Sequence, residues 1–118
     1  MTTAIINIKN LRLRTYIGFN PEELEKQQDV IINAEFHYPA DLACATDSEN
    51  NAVNYKVITK KMIALVEEGQ FKLLERLAAD LLAIAHEHPD VSYASVSVDK
   101  PHALRFADSV SITMTGSK

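Results

Sequence analysis

The chain has 118 residues, 47% of them hydrophobic and 24% charged, with a net charge of −4. That length supports one modest hydrophobic core and predicts a single domain over residues 1–118. Its 12 Lys and Arg residues are scattered among 16 acids, which argues against a nucleic-acid partner, and no apolar run reaches the ~18 residues of a membrane span.

In chain order, Ala4, Ile6 and Ile8 share one phase of an alternating strand, and Leu11 and Leu13 take the opposite phase. A slip of one residue predicts a β-bulge near Lys9 and Asn10, beyond which Arg12 and Arg14 point away from the leucines. Gly18 to Gln28 reads as a polar loop with Pro21 and several acids. A second strand runs from Val30 to Tyr38, with Ile32, Ala34, Phe36 and Tyr38 on one face. A first helix is predicted over Asn54–Glu68, with Ile58, Met62, Leu65 and Val66 as its inner stripe and Gly69 as its stop. A second follows over Leu73–His88, with Leu74, Leu77, Ala78, Leu81, Ile84 and Ala85 inward. Glu75 falls in its first turn, where free amides and the helix dipole favour a carboxylate or a negatively polarised ligand atom. Two more strands close the chain, giving an α+β order of strand, strand, helix, helix, strand, strand.

The last two strands carry the sharpest signal. Ala94, Val96 and Val98 share the inward phase of the first, and Lys100 continues it before Pro101 closes the strand. In the second, Val110, Ile112 and Met114 face inward. An ammonium group at the rim of a core snorkels to water, finds a carboxylate or ligand, or changes its pKa. The eleven residues Asp99–Ser109 connect the two strands and include His102 and Arg105.

Other chemistry has weaker support. His86 and His88 diverge on a helix, His37 lies in a solvent-facing phase, and no acid or cysteine completes a ligand set, so no metal site is predicted. Cys44 is the only cysteine; it excludes an intrachain disulfide, has no adjacent activating group, and fits a reducing cytoplasmic compartment, as does the lack of a signal-peptide profile. There is no glycine-rich phosphate loop and no nucleophile elbow. What remains is a set of polar residues at element ends: Glu23, Gln28, Tyr55, Glu75 and Lys100.

The ordered segments Ile17-Gly18 with Glu23 and Gln28, Asn54-Tyr55, Leu73-Leu74-Glu75 and Asp99-Lys100-Pro101 resemble the dihydroneopterin aldolase family. The segments Lys9–Thr15, His37–Asp41 and His102–Val110 are similar to the epimerase branch of that family. The resemblance covers nearly the whole chain. It implies the tunnelling fold, a ββααββ unit with a four-stranded antiparallel sheet and two helices on one face. It also implies sheets joined into an oligomeric barrel, commonly an octamer of two tetrameric rings with active sites between subunits.

Residue by residue, the resemblance implies that Glu75 anchors the amino-pyrimidinone edge of a dihydropterin, helped by the amides around Leu73 and Leu74. Lys100, Glu23 and Tyr55 are implied as the catalytic group, with Tyr55 reaching in from an adjacent subunit and Gln28 ordering the Glu23 loop. The implied reaction is inversion at C2′ of dihydroneopterin triphosphate without a cofactor. His102, Arg105, Arg12 and Arg14 are the cations in the epimerase-like segments and the candidates for the triphosphate. Two alternatives stay open: an aldolase releasing glycolaldehyde, and a non-catalytic oligomeric module binding a pterin or purine ring.

Overall fold

A computed structural model describes all 118 residues. It contains β1 (Thr3–Ile17), α1 (Pro21–Glu25), β2 (Gln28–Pro39), α2 (Asp41–Thr46), α3 (Tyr55–Glu68), β3 (Gln70–Phe71), α4 (Leu74–Ala85), β4 (Tyr93–Pro101) and β5 (Ser109–Ser117). The four long strands pair antiparallel in the order β1-β2-β4-β5. The expected bulge is present: the β1–β2 register shifts between Ile8 and Leu11, and Asn10 takes a left-handed φ of 54°. The Asn33 side-chain oxygen accepts a 2.9 Å bond from the Asn10 amide and so satisfies a donor that the ladder loses there.

Alternation divides the sheet into two chemically different faces. Val30, Ile32, Ala34 and Phe36 of β2 and Ala94, Val96 and Val98 of β4 are buried against the helices. The rows between them carry Asn7, Glu35, Ser95 and Thr115, and then Arg12, Ile31, Asp99 and Ser111, on the opposite face. α3 contributes Ile58, Met62 and Val66 to the core, and α4 contributes Leu77, Ala78, Leu81 and Ala85. Asn54 starts α3 by accepting from the amides of Lys56 and Val57 at 3.1 and 3.4 Å.

Three expectations are corrected. The sheet has five strands, because Gln70–Phe71 pairs parallel with Tyr16–Ile17 at the β1 edge. Two residues are too few to show an alternating pattern in sequence. The Gly18–Gln28 segment contains a helical turn, α1, with Pro21 at its first position, where its missing N–H costs nothing. The β4–β5 connection is shorter than eleven residues, since pairing continues to Pro101 and Ser109 and leaves only residues 102–108 unpaired. Beyond the β3 contact, the outer edge of β1 has no strand partner, and neither has the outer edge of β5.

Candidate active site

The site forms where β1, β2 and β4 end together. Lys100 lies opposite Val110 on the helix side of the sheet, next along from buried Val98, as its phase predicts. Its ammonium group does not run out to water. It pairs with the carboxylate of Glu23 from α1, and the two side chains are only 14% and 19% exposed. Gln28, the first residue of β2, holds the same carboxylate: its amide donates to the Ile17 carbonyl at 2.7 Å and to Glu23 Oε2 at 3.2 Å. The Asn20 amide reaches Glu23 Oε1 at 3.4 Å. The Lys100 hydrogen bond, with help from Gln28 and Asn20, holds the Glu23 carboxyl below its ordinary pKa, against the opposing effect of burial. Glu23 therefore rests as a carboxylate against Lys100.

A backbone bridge ties this pair to the start of α4. The Gly18 amide donates to the Phe71 carbonyl at 2.8 Å, fixing the end of β1 against β3. Three residues later the chain enters α4, with Leu73 in extended conformation at its N-cap and Glu75 in its first turn. Leu73 supplies no side-chain cap, so the first-turn amides have no intrahelical acceptor and are open to a ligand. Glu75 is exposed and Leu74 half-buried. A concavity of about 140 Å³ opens beside the pair, lined by Tyr16, Gly18, Glu23, Gln70, Phe71 and Lys72, among others. The β3 pairing that places Tyr16, Phe71 and Lys72 there left no sequence signal, so these lining residues were not anticipated.

Tyr55 does not join this cluster within one chain. It begins α3, whose 14 residues span about 20 Å, and whose other end leads through Gly69 to β3. The α3 start instead faces the end of α4, where Asn54, Val57 and Ile58 share a cleft with Ile84, Glu87 and His88. Tyr55 is 52% exposed at that far end.

The four cations divide. Arg12, Arg14 and His102 line one groove of about 710 Å³ that also includes Gln27, Asp29 and Pro101. Register puts Arg12 and Arg14 on the sheet face opposite Lys100, and His102 lies just past Pro101, where β4 ends. Arg14 is already committed to Asp29 at 2.7 Å and to the Gln27 carbonyl at 2.9 Å. Arg105 lies outside the groove in the exposed loop, its guanidinium 5.6 Å from the centre of the Phe106 ring.

The dihydroneopterin aldolase (FolB) family model matches residues 6–115. The chain belongs to the dihydroneopterin aldolase family. Within the family it is similar to the dihydroneopterin triphosphate 2′-epimerase of Escherichia coli K12, 54% identical over 112 residues that cover 95% of this chain and 93% of the relative. The epimerase of Pseudomonas aeruginosa PAO1 is 52% identical, covering 96% and 92%. The crystal structure of Escherichia coli dihydroneopterin aldolase in complex with neopterin shares the fold, with a TM-score of 0.90 at 22% identity over 97% of this chain and 99% of that one. No helix of this family member is long and apolar enough to cross a membrane.

Proposed function

We propose that the protein inverts C2′ of 7,8-dihydroneopterin triphosphate by a retro-aldol and aldol sequence, giving the dihydromonapterin isomer. The observation that carries this reading is the shielded Lys100–Glu23 pair beside the open start of α4, in a chain more than half identical to two epimerases. Glu75 holds the pterin: a carboxylate accepts two N–H bonds side by side from the amino-pyrimidinone edge, while the amides of the α4 start, at Leu73, Leu74 and Glu75, donate to the ring carbonyl.

The C2′ hydrogen is not acidic, so its direct removal faces a very high barrier. Breaking C1′–C2′ is easier. The Glu23 carboxylate takes the 2′-hydroxyl proton as the bond's electrons move into the ring, and Lys100 lends the imine nitrogen the proton that makes the ring an enamine, taking it back when C1′ attacks again. C2′ becomes an aldehyde, turns over and is attacked again by C1′ on its other face, and the proton returns to its oxygen. The dihydropterin ring is itself the electron sink, so the sequence needs no cofactor. Tyr55 acts from a neighbouring subunit, since its own chain places it at the far end of α3. The assembly is a homo-oligomer, an octamer of two tetrameric rings, working in the cytoplasm.

Epimerisation also requires that the aldehyde stay. A triphosphate tail held by cations tethers it. The groove favours Arg12 and His102 for this task over Arg14, which Asp29 neutralises, and over Arg105, which rests on Phe106. His102 sits where the tail would turn over the end of β4 toward Arg12. Turnover in deuterated water tests the mechanism: the retro-aldol route returns inverted product with its original C2′ hydrogen, and deuterium at C2′ would show direct proton abstraction instead.

A further inference from the structure

Gly18 occupies a conformation and a space that only glycine fits. Its φ is +132°, and a Cβ built on it would collide with the carboxyl carbon and both oxygens of Glu23. The carboxylate thus rests on the bare Cα of Gly18 while Gln28 and Lys100 hold it from other sides. The same glycine donates its amide to Phe71, at the start of the short run that leads to Glu75.

We infer that Gly18 is a positioning residue for the reaction: it is the seat that keeps the Glu23 carboxylate on Lys100, and through Phe71 it holds that pair in register with the first turn of α4. The inference rests on the proposed function. A methyl at position 18 would lift the carboxylate from its seat and separate it from Lys100, leaving the α4 start in place. The ionisable groups facing Glu23 are Lys100 from β4, with Tyr16 from β1 and Lys72 from the segment after β3 across the concavity. Of these, Lys100 is the one that bonds the carboxylate.

The test is a double-mutant cycle of Gly18→Ala and Glu23→Ala in the full-length protein. Gly18→Ala is expected to lower kcat about 10²-fold while leaving KM within about threefold, because pterin binding stays with Glu75. Its acid limb of kcat should move to higher pH, since Glu23 loses the Lys100 bond that keeps it ionised. In the Glu23→Ala background the added methyl should still cost stability through the left-handed φ but lower kcat no further, because the group it displaces is gone. Multiplying losses, or an unmoved acid limb, would make Gly18 a backbone residue only and overturn the inference. The left-handed φ costs stability in either background, so the seat is read from the difference: a smaller stability loss from Gly18→Ala in the Glu23→Ala background than in wild type supports it, and an equal loss contradicts it. Crystal structures of Gly18→Ala report the Lys100–Glu23 separation independently of turnover. A wild-type protein inactive on dihydroneopterin triphosphate would therefore defeat the functional reading without deciding this one.

Discussion

Glu23 and Lys100 are 77 residues apart in sequence and share one hydrogen bond. Each would be costly alone in a half-buried site, since desolvation penalises an unpaired charge. Lys100→Ala is expected to abolish turnover with pterin binding largely intact, measured as kcat together with a dissociation constant for neopterin; near-normal rates at saturating substrate would remove Lys100 from the chemistry. Glu75→Ala should act first on binding, weakening it by about 2–4 kcal/mol as the pterin edge loses a charged acceptor. The pair also couples stability to pH. The folded pKa of Glu23 lies below its ordinary value, so its contribution is full above that value and fades as pH falls through the folded pKa. Wild type should lose stability more steeply than Glu23→Gln as pH falls below the ordinary glutamate value of 4.5, in denaturant titrations. Parallel curves would argue against the pair as a stabilising contact. In the groove, Arg12→Ala should raise KM for the triphosphate substrate and spare unphosphorylated dihydroneopterin, and Arg105→Ala should do little to either. The reverse ranking would place the tail on the loop.

Elements were legible where their periodicity was long. α3 and α4 declared themselves through inner stripes at helical spacing, Lys100 through its alternation with Val96 and Val98, and the bulge through the phase slip between Ile8 and Leu11. β3 was not legible, because its two residues are strand only by virtue of Tyr16 and Ile17 beside them. The Lys100 partner was equally hidden: alternation places a side chain on a face, but only the folded chain end brings α1 over it. The resemblance to a known family named Glu23, whereas the geometry alone showed that Gly18 leaves room for its carboxylate. At this scale Asn54→Ala should cost about 1 kcal/mol by freeing two amides at the start of α3, and Met62→Ala about 2–5 kcal/mol by opening a fully buried cavity. Both are measurable by chemical denaturation. Asn54→Ala should also lower activity beyond its stability cost, because Tyr55 follows that cap directly.

One chain does not complete the proposed constellation. Glu23, Gln28 and Lys100 meet at one end of the sheet, with the α4 start tied to them through Phe71, while Tyr55 lies at the opposite end of α3. Most of the β1 outer edge and the whole β5 outer edge are open strands, which a ring of copies would pair with one another. Activity should therefore require assembly: light scattering at micromolar concentration should give the mass of an oligomer, and an active monomer would contradict the shared site. Mixing inactive Lys100→Ala with inactive Tyr55→Phe subunits should restore part of the activity, since hybrid rings place an intact Lys100 beside an intact Tyr55. Above all, the proposed reaction follows bond cleavage with recapture of the aldehyde. The direct measurement is incubation with 7,8-dihydroneopterin triphosphate, with the C2′ stereoisomers resolved chromatographically and free aldehyde quantified in parallel. The predicted result is accumulation of the dihydromonapterin isomer with little aldehyde released. Stoichiometric aldehyde with no inverted product, or a substrate left unchanged, would contradict it.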